Sequence, residues 1–323
     1  MRKSIYILWI ILLSLSSSDA FVLKKYGNFE FKKANANVYI MHGPAMGPNR
    51  DNEGFMNNPS IIEGETSLII IDPGGNYNVG KKIVAEIEKV SNKPIIAVLN
   101  THKHGDHWFA NKSISQKYKD AKIYAHPKMI EEVKAGDAEV WYTILNKLTD
   151  NLNGTKEFAY PDYKLVDGQK IKIDSEEFII SHPKTAHTNT DLVIEHVGSK
   201  TLFLGDNLMK NRFGNFEVSS SIIGNIKYLQ SLKNGKKFKL YVPGHGPSGQ
   251  INETIDPFLN YLEIISNEAK IAFDDGVEAY EIKPRVITQL KEYQQWDGFE
   301  NQVGKHIIKA YSEWEEKEME LIF

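Results

Sequence analysis

Residues 101–107 read Thr101-His102-Lys103-His104-Gly105-Asp106-His107, three imidazoles and one carboxylate within seven positions. A purely structural segment has little use for that density of metal-ligating groups, so the stretch points to a metalloenzyme. The apolar run Pro94 to Leu99 just before it reads as a buried strand, which puts the ligands where a strand opens into a loop. In extended backbone His102 and His104 face the same way and can share one ion, while Asp106 and His107, beyond Gly105, can turn toward a second. A lone histidine is by default a satisfied surface or core residue; the clustering overturns that default.

A dinuclear site needs further ligands, and three later positions supply them by residue type and setting. His187 stands in a polar loop, Lys184 to Thr190, ahead of the apolar run Leu192 to Ile194. Asp206 follows the strand-like Thr201-Leu202-Phe203-Leu204-Gly205, where a carboxylate can bridge two ions; standing alone it would read as a turn or helix-capping residue. His245 sits in Pro243-Gly244-His245-Gly246-Pro247, whose glycines and prolines hold one imidazole on a stiff loop. His182, before Pro183 at the close of the run Phe178 to Ile180, suits a strand terminus at least as well as a ligand.

In this order the residues resemble the metallo-β-lactamase-fold hydrolases, whose HxHxDH signature is matched at His102, His104, Asp106 and His107. The resemblance spans roughly Val38 to Pro247. It implies an α/β fold, a four-layer αββα sandwich, with His102, His104 and His187 on one zinc, Asp106, His107 and His245 on the other, and Asp206 bridging. Asp72, after the apolar run Leu68 to Ile71, looks like the family's first motif and would support the site from behind its ligands. Class B1 lactamases carry a zinc-binding cysteine where this chain has Asp206, and the chain contains no cysteine. It looks more like glyoxalase II and other ester or thioester hydrolases of the superfamily. Lys210, four residues beyond Asp206, is set against the lysine with which some lactamases anchor a substrate carboxylate, though the family spacing is three.

What the resemblance implies chemically is hydrolysis by a hydroxide shared between two zinc ions, with the pKa of bound water lowered from ~15.7 to near ~7 and Asp106 orienting the nucleophile and shuttling its proton. The scissile bond would be an amide, lactam, ester or thioester in a small-molecule substrate. Imidazole and carboxylate donors also accept iron and manganese. Substrate choice is expected in loops, with His42 to Ser60, bearing exposed-looking Met46, Phe55 and Met56, as a flap. Trp108, Phe109, Phe213 and Phe216 read as core or pocket lining, and Lys103 as a solvated side chain pointing away from the ligands.

Residues 1–20 combine basic Arg2 and Lys3, the apolar Ile5 to Leu15 and the small-residue pattern Ser18-Asp19-Ala20, the arrangement of a secretory signal peptide, and predict a periplasmic or secreted protein. No later segment is long and apolar enough to span a membrane. Residues 21–250 are expected to form the hydrolase-like domain, with helices over Val79 to Val90 and Ser219 to Leu232. Residues 251–323 are expected to form a helical extension, with amphipathic stretches Tyr261 to Phe273, Tyr280 to Tyr293, in which Pro284 marks an irregularity or a start, and Asn301 to Glu318, suited to packing or to a periplasmic protein partner. The net charge of -3 supplies no broad basic field and disfavours nucleic acid. Two alternatives accompany the hydrolase reading: a mononuclear iron held by His102, His104 and His187, as in the family's sulfur dioxygenases, and a non-catalytic metal-binding accessory protein.

Overall fold

The computed structural model describes residues 21–322. The signal-peptide expectation for residues 1–20 lies outside the described residues. A short hairpin, β1 (Phe21–Leu23) with β2 (Gly27–Phe29), leads into a seven-stranded sheet. In sheet order its strands are β3 (Lys32–Asn35), β4 (Val38–Ile40), β5 (Ser60–Glu63), β6 (Leu68–Ile71), β7 (Ile95–Leu99), β8 (Lys122–Ala125) and β9 (Tyr163–Lys164). Pairing is antiparallel as far as β6 and parallel from β6 to β9. A second sheet runs β10 (Lys170–Ile173), β11 (Glu176–Ser181), β12 (Val193–His196), β13 (Thr201–Phe203) and β14 (Leu240–Val242).

Parallel neighbours require crossovers, and helices supply them. Helix α1 (Tyr77–Val90) links β6 to β7 and is capped by Asn76, whose side chain accepts from Val79 N at 2.8 Å. Helices α2 (Gly105–Trp108) and α3 (Asn111–Lys117) link β7 to β8. Between β8 and β9 lie α4 (Pro127–Glu132) and α5 (Ala138–Thr149), joined through one π-helical turn at Val133–Asp137 in which Gly136 adopts φ +135°. Helix α6 (Ile222–Asn234) links β13 to β14, and α7 (Ile255–Asp274), α8 (Lys283–Gln289) and α9 (Phe299–Ile322) follow.

Strand alternation distributes the apolar residues among three interfaces. Ile69 and Ile71 of β6 face a core between the sheets, with Leu99, Phe178, Ile194 and Phe203. Their neighbours Leu68 and Ile70 face outward onto Ile83 and Ile87 of α1. Leu202 and Tyr241 on the far face of the second sheet pack against Leu229, Phe258, Ile265 and Val303 of α6, α7 and α9. The layers are therefore helix, sheet, sheet, helix, as expected. The C-terminal helices spend their apolar faces on this last core. Glu313 of α9 accepts from the backbone nitrogens of Ile222 and Ile223 and so caps the start of α6.

Two expectations need correction here. Phe55 and Met56 are buried rather than exposed, Phe55 against the rings of Phe21 and Phe29, and the segment around them is pinned by Asn57 Nδ2 to Asp72 O (2.8 Å) and Asn58 Nδ2 to Gly246 O (2.7 Å). A free flap would leave those buried amides without partners. In the stretch Tyr280 to Tyr293 the helix starts with Pro284 in its first turn, one of the two readings given to that residue, but it is shorter than expected: α8 gives way at Leu290 to a 3-10 turn, Lys291–Tyr293. No helix among the described residues is long and apolar enough to cross a membrane.

Candidate metal centre

The site is assembled at the ends of β6, β7 and β13 and on the loops before β12 and after β14. Asp72 ends β6 in a left-handed conformation, φ +48°, which costs a non-glycine residue about 1–3 kcal/mol. The strained turn presents a buried carboxylate to three donors: Thr101 N at 2.8 Å, Thr101 Oγ1 at 2.6 Å and His107 Nδ1 at 2.8 Å. Asp72 thereby fixes the His107 ring with Nε2 turned inward, and Thr101 Oγ1, 3.0 Å from His102 Nδ1, passes the constraint to a second ring.

Two groups of donors converge: His102, His104, His187 and Asp206 in one, Asp106, His107 and His245 in the other, all buried. Four donors placed tetrahedrally about 2.0–2.1 Å from an ion lie about 3.3 Å apart. Here His104 Nδ1 is 3.1 Å from His187 Nε2, His107 Nε2 is 3.2 Å from His245 Nε2, and His245 Nε2 is 3.2 Å from Asp106 Oδ2. Asp206 lies between the groups, Oδ2 3.6 Å from His187 Nε2 and 3.3 Å from His245 Nε2, Oδ1 3.2 Å from His107 Nε2. His102 Nε2 is buried without a hydrogen-bond partner, a costly state for a ring nitrogen unless a cation takes its lone pair. Nitrogen and carboxylate donors at these separations fit divalent metal ions.

The electrostatics agree with that fit. Burial lowers His102 well below the usual imidazole range and takes His187 to about 3, so both rings are neutral ligands. Burial alone would raise the carboxyls of Asp106 and Asp206, but the His107 and His245 rings hold both well below the ordinary range. Around His107 burial is outweighed by Asp206, Asp106 and Asp72, which push the ring well above its usual value and mark the spot as one that favours positive charge.

Backbone packing fixes the ligand loops. A Cβ on Gly244 would fall 1.9 Å from Asp206 Oδ1, so only glycine lets the His245 loop pass this carboxylate. The His187 loop is folded by Asp191, which accepts from Thr188 N at 2.8 Å and Thr188 Oγ1 at 2.6 Å and whose carboxyl burial raises to about 7.

Above the ligands opens a cavity of about 440 Å³, within the range of small-molecule sites, with His104, Asp106, His187 and Asp206 on its floor. Its walls include residues that the sequence did not single out. Trp141 of α5 lies 4.4 Å from the His104 ring, centroid to centroid, Glu217 Oε1 is 3.2 Å from His104 Nε2, and Arg212 sends Nη1 to within 3.0 Å of His245 Nδ1. Burial would raise Glu217, but His104 and Lys103 bring its carboxyl down to about 2. Arg212 is 8% exposed, its Nε lacks a hydrogen-bond partner, and no carboxylate pairs with it among the described residues. No local pattern in the sequence announces these three; they reach the site through tertiary packing.

Other candidates fall elsewhere. Lys210 does not line the cavity; its backbone nitrogen donates to His245 O at 3.0 Å. Lys103 is a correction: its ammonium is buried and paired with Glu132 and Asp137, each at 2.9 Å, because α4 and the π turn fold over the strand end that was read as facing solvent. His182 stacks on His126 and bonds Asp191 O, apart from the metal ligands. Trp108 and Phe109 are core, Phe213 lines the cavity, and Phe216 sits with its ring 5.9 Å from that of His187.

The family model of the metallo-beta-lactamase superfamily matches residues 52–255. A probable metallo-hydrolase of Streptococcus pyogenes serotype M6 is 26% identical over 210 residues, 63% of this chain and 85% of that protein. A linear primary-alkylsulfatase of a Pseudomonas strain is 36% identical over 77 residues, 23% of this chain and 15% of that one. Among solved structures, a metallo-beta-lactamase from Pontibacter korlensis superposes with TM-score 0.57 at 16% identity, over 73% of this chain and 99% of that one. A sec-alkylsulfatase from Pseudomonas sp. superposes with TM-score 0.68 at 14% identity, over 89% of this chain and 50% of that one. At these identities the superpositions speak to the fold alone.

Proposed function

Because the chain belongs to the metallo-beta-lactamase superfamily and is a metal-dependent hydrolase, we propose that its two donor groups hold a pair of divalent ions, zinc first among them, and that it cleaves an amide, lactam, ester or thioester bond. One observation carries the reading: two convergent donor groups meet at a single carboxylate, Asp206, on the floor of a substrate-sized cavity. When bound, such ions bring the pKa of a shared water near ~7 and polarise the scissile group. The protein's own part is to hold the donors in place from Asp72 and Thr101, to keep His102 and His187 neutral, and to present Asp106 to the cavity. From there its ionised carboxylate can accept a hydrogen bond from the incoming water and orient it toward the scissile group.

A second scissile group is supported by Arg212. A buried guanidinium with no carboxylate partner among the described residues, together with Lys305 on the cavity wall, suits a substrate with an anionic group, and the alkylsulfatase relative suggests a sulfate ester. The mononuclear-iron alternative leaves Asp106, His107 and His245 without a task, although their donor atoms converge as closely as the first group's. The discriminating experiment offers chromogenic lactam, carboxylic ester, thioester and sulfate ester panels to metal-loaded protein. Turnover of a carbonyl substrate supports the first reading, turnover of the sulfate ester alone moves it to the second, and no turnover in any panel removes both. Export is proposed from the pattern Arg2 to Ala20, and N-terminal sequencing of protein recovered from the secreted or periplasmic fraction tests it.

A further inference from the structure

Helix α5 carries two apolar faces. Ala138 and Leu145 point inward, in the core that also holds Trp108, Phe109 and Met129, and Thr149 is buried as well. Val140, Ile144 and Leu148, four residues apart, form a row on the outer side, exposed by 58%, 43% and 45%. Scattered exposed aliphatics need no explanation, but a row at helical spacing does. The lower part of this row, Ile144 and Leu148, together with Trp141, lines the same cavity that has His104, Asp106, His187 and Asp206 on its floor. Met56 and Phe213 extend the apolar surface across the cavity, and Trp141 carries it to the ring of a ligand.

Cavity walls of this kind stay wet only at a cost, and an apolar group sliding between α5 and the floor removes that cost. The occupant is set by continuity. The surface begins at the ligands and ends at the open mouth, so whatever covers it is attached to the group held on the floor. A partner protein would have to enter a cavity of about 440 Å³ to cover Trp141. We propose that Trp141, Ile144 and Leu148 form a subsite for a hydrocarbon chain or ring of the substrate, and that the enzyme selects substrates with an apolar group next to the scissile bond. The proposal rests on the hydrolase reading of the site and deepens it to a substrate class. It does not depend on which bond is cleaved.

The test measures binding apart from catalysis. Straight-chain n-alkanoates from butanoate to decanoate are titrated calorimetrically into the full chain, with metal bound and after chelation. The subsite predicts that affinity rises about three- to fourfold per added methylene until the row is covered. In the double variant Ile144→Ser, Leu148→Ser that slope should fall by at least half, while the melting temperature, set by the inward face, stays close to wild type. Val140→Ser, on the same row but outside the cavity, serves as control and should keep the wild-type slope. A slope that survives the double variant, or one lost equally in Val140→Ser, overturns the proposal, as does the absence of any chain-length dependence. Turnover in the lactam, carboxylic ester, thioester and sulfate ester panels reports separately on the parent reading. Graded binding without turnover keeps the subsite and sinks the hydrolase, whereas turnover without graded binding does the reverse.

Discussion

Exchanging Asp72 for asparagine keeps the shape of the side chain and reverses the sense of one oxygen. Oδ1 accepts from Thr101 N, and an amide oxygen can retain that bond; Oδ2 accepts from Thr101 Oγ1 and His107 Nδ1, and an amide nitrogen there meets two donors. The hydroxyl can rotate to accept. The His107 N–H cannot, and it loses a charge-assisted bond in a fully buried position. Loss of such an orienting partner weakens a metal site about 10–100-fold, or about 1.4–2.7 kcal/mol. The loss should fall on the ion held with Asp106 and His245, because His102 is tied to Asp72 only through Thr101 Oγ1. With an ion in each donor group, as proposed, chelator competition should show two steps, one shifted by that factor and the other by less than threefold. Two unshifted steps, or a shift confined to the ion held by His102, would refute the argument.

Three further outcomes follow from the same structure. Gly244→Ala drives a methyl into the Asp206 carboxylate, and the displacement should cost about 1–3 kcal/mol in urea unfolding and lower the metal content below that of wild type. His306 is buried, accepts from Tyr261 OH and donates to Gly214 O, and burial lowers it to about 4. The native state therefore refuses a proton that the unfolded chain takes below about 6.5, so stability is full above pH 6.5 and falls by about 3 kcal/mol toward pH 4; His306→Gln should flatten that part of the profile relative to wild type. Lys103→Met strands Glu132 and Asp137, which are partly solvated, and should cost about 2 kcal/mol by thermal denaturation; an unchanged melting temperature would show the ion pairs to be inert.

The donor set was legible because its members cluster in sequence. His102, His104, Asp106 and His107 follow the end of one strand and run into one short helix, and His187, Asp206 and His245 each stand beside a strand whose apolar run is plain. The same local logic misplaced Lys103. Alternation in a strand says that a side chain points away from its neighbours, and only the tertiary path of α4 and the π turn decides that an acidic lining waits there. Phe55 and Met56 were misjudged for a related reason, since a segment rich in Gly, Asn and Pro reads as loop whether or not buried asparagines anchor it. Trp141, Arg212 and Glu217 were invisible because their relation to the ligands exists only across elements that meet in the fold.

The central claim is a pair of ions held by two donor groups that share Asp206. Elemental mass spectrometry of the purified chain, run alongside hydrolysis before and after chelation, addresses it directly. Two divalent ions per chain are expected, with hydrolysis that disappears on chelation and returns with metal. One iron per chain, with no hydrolysis at any metal loading, would contradict it.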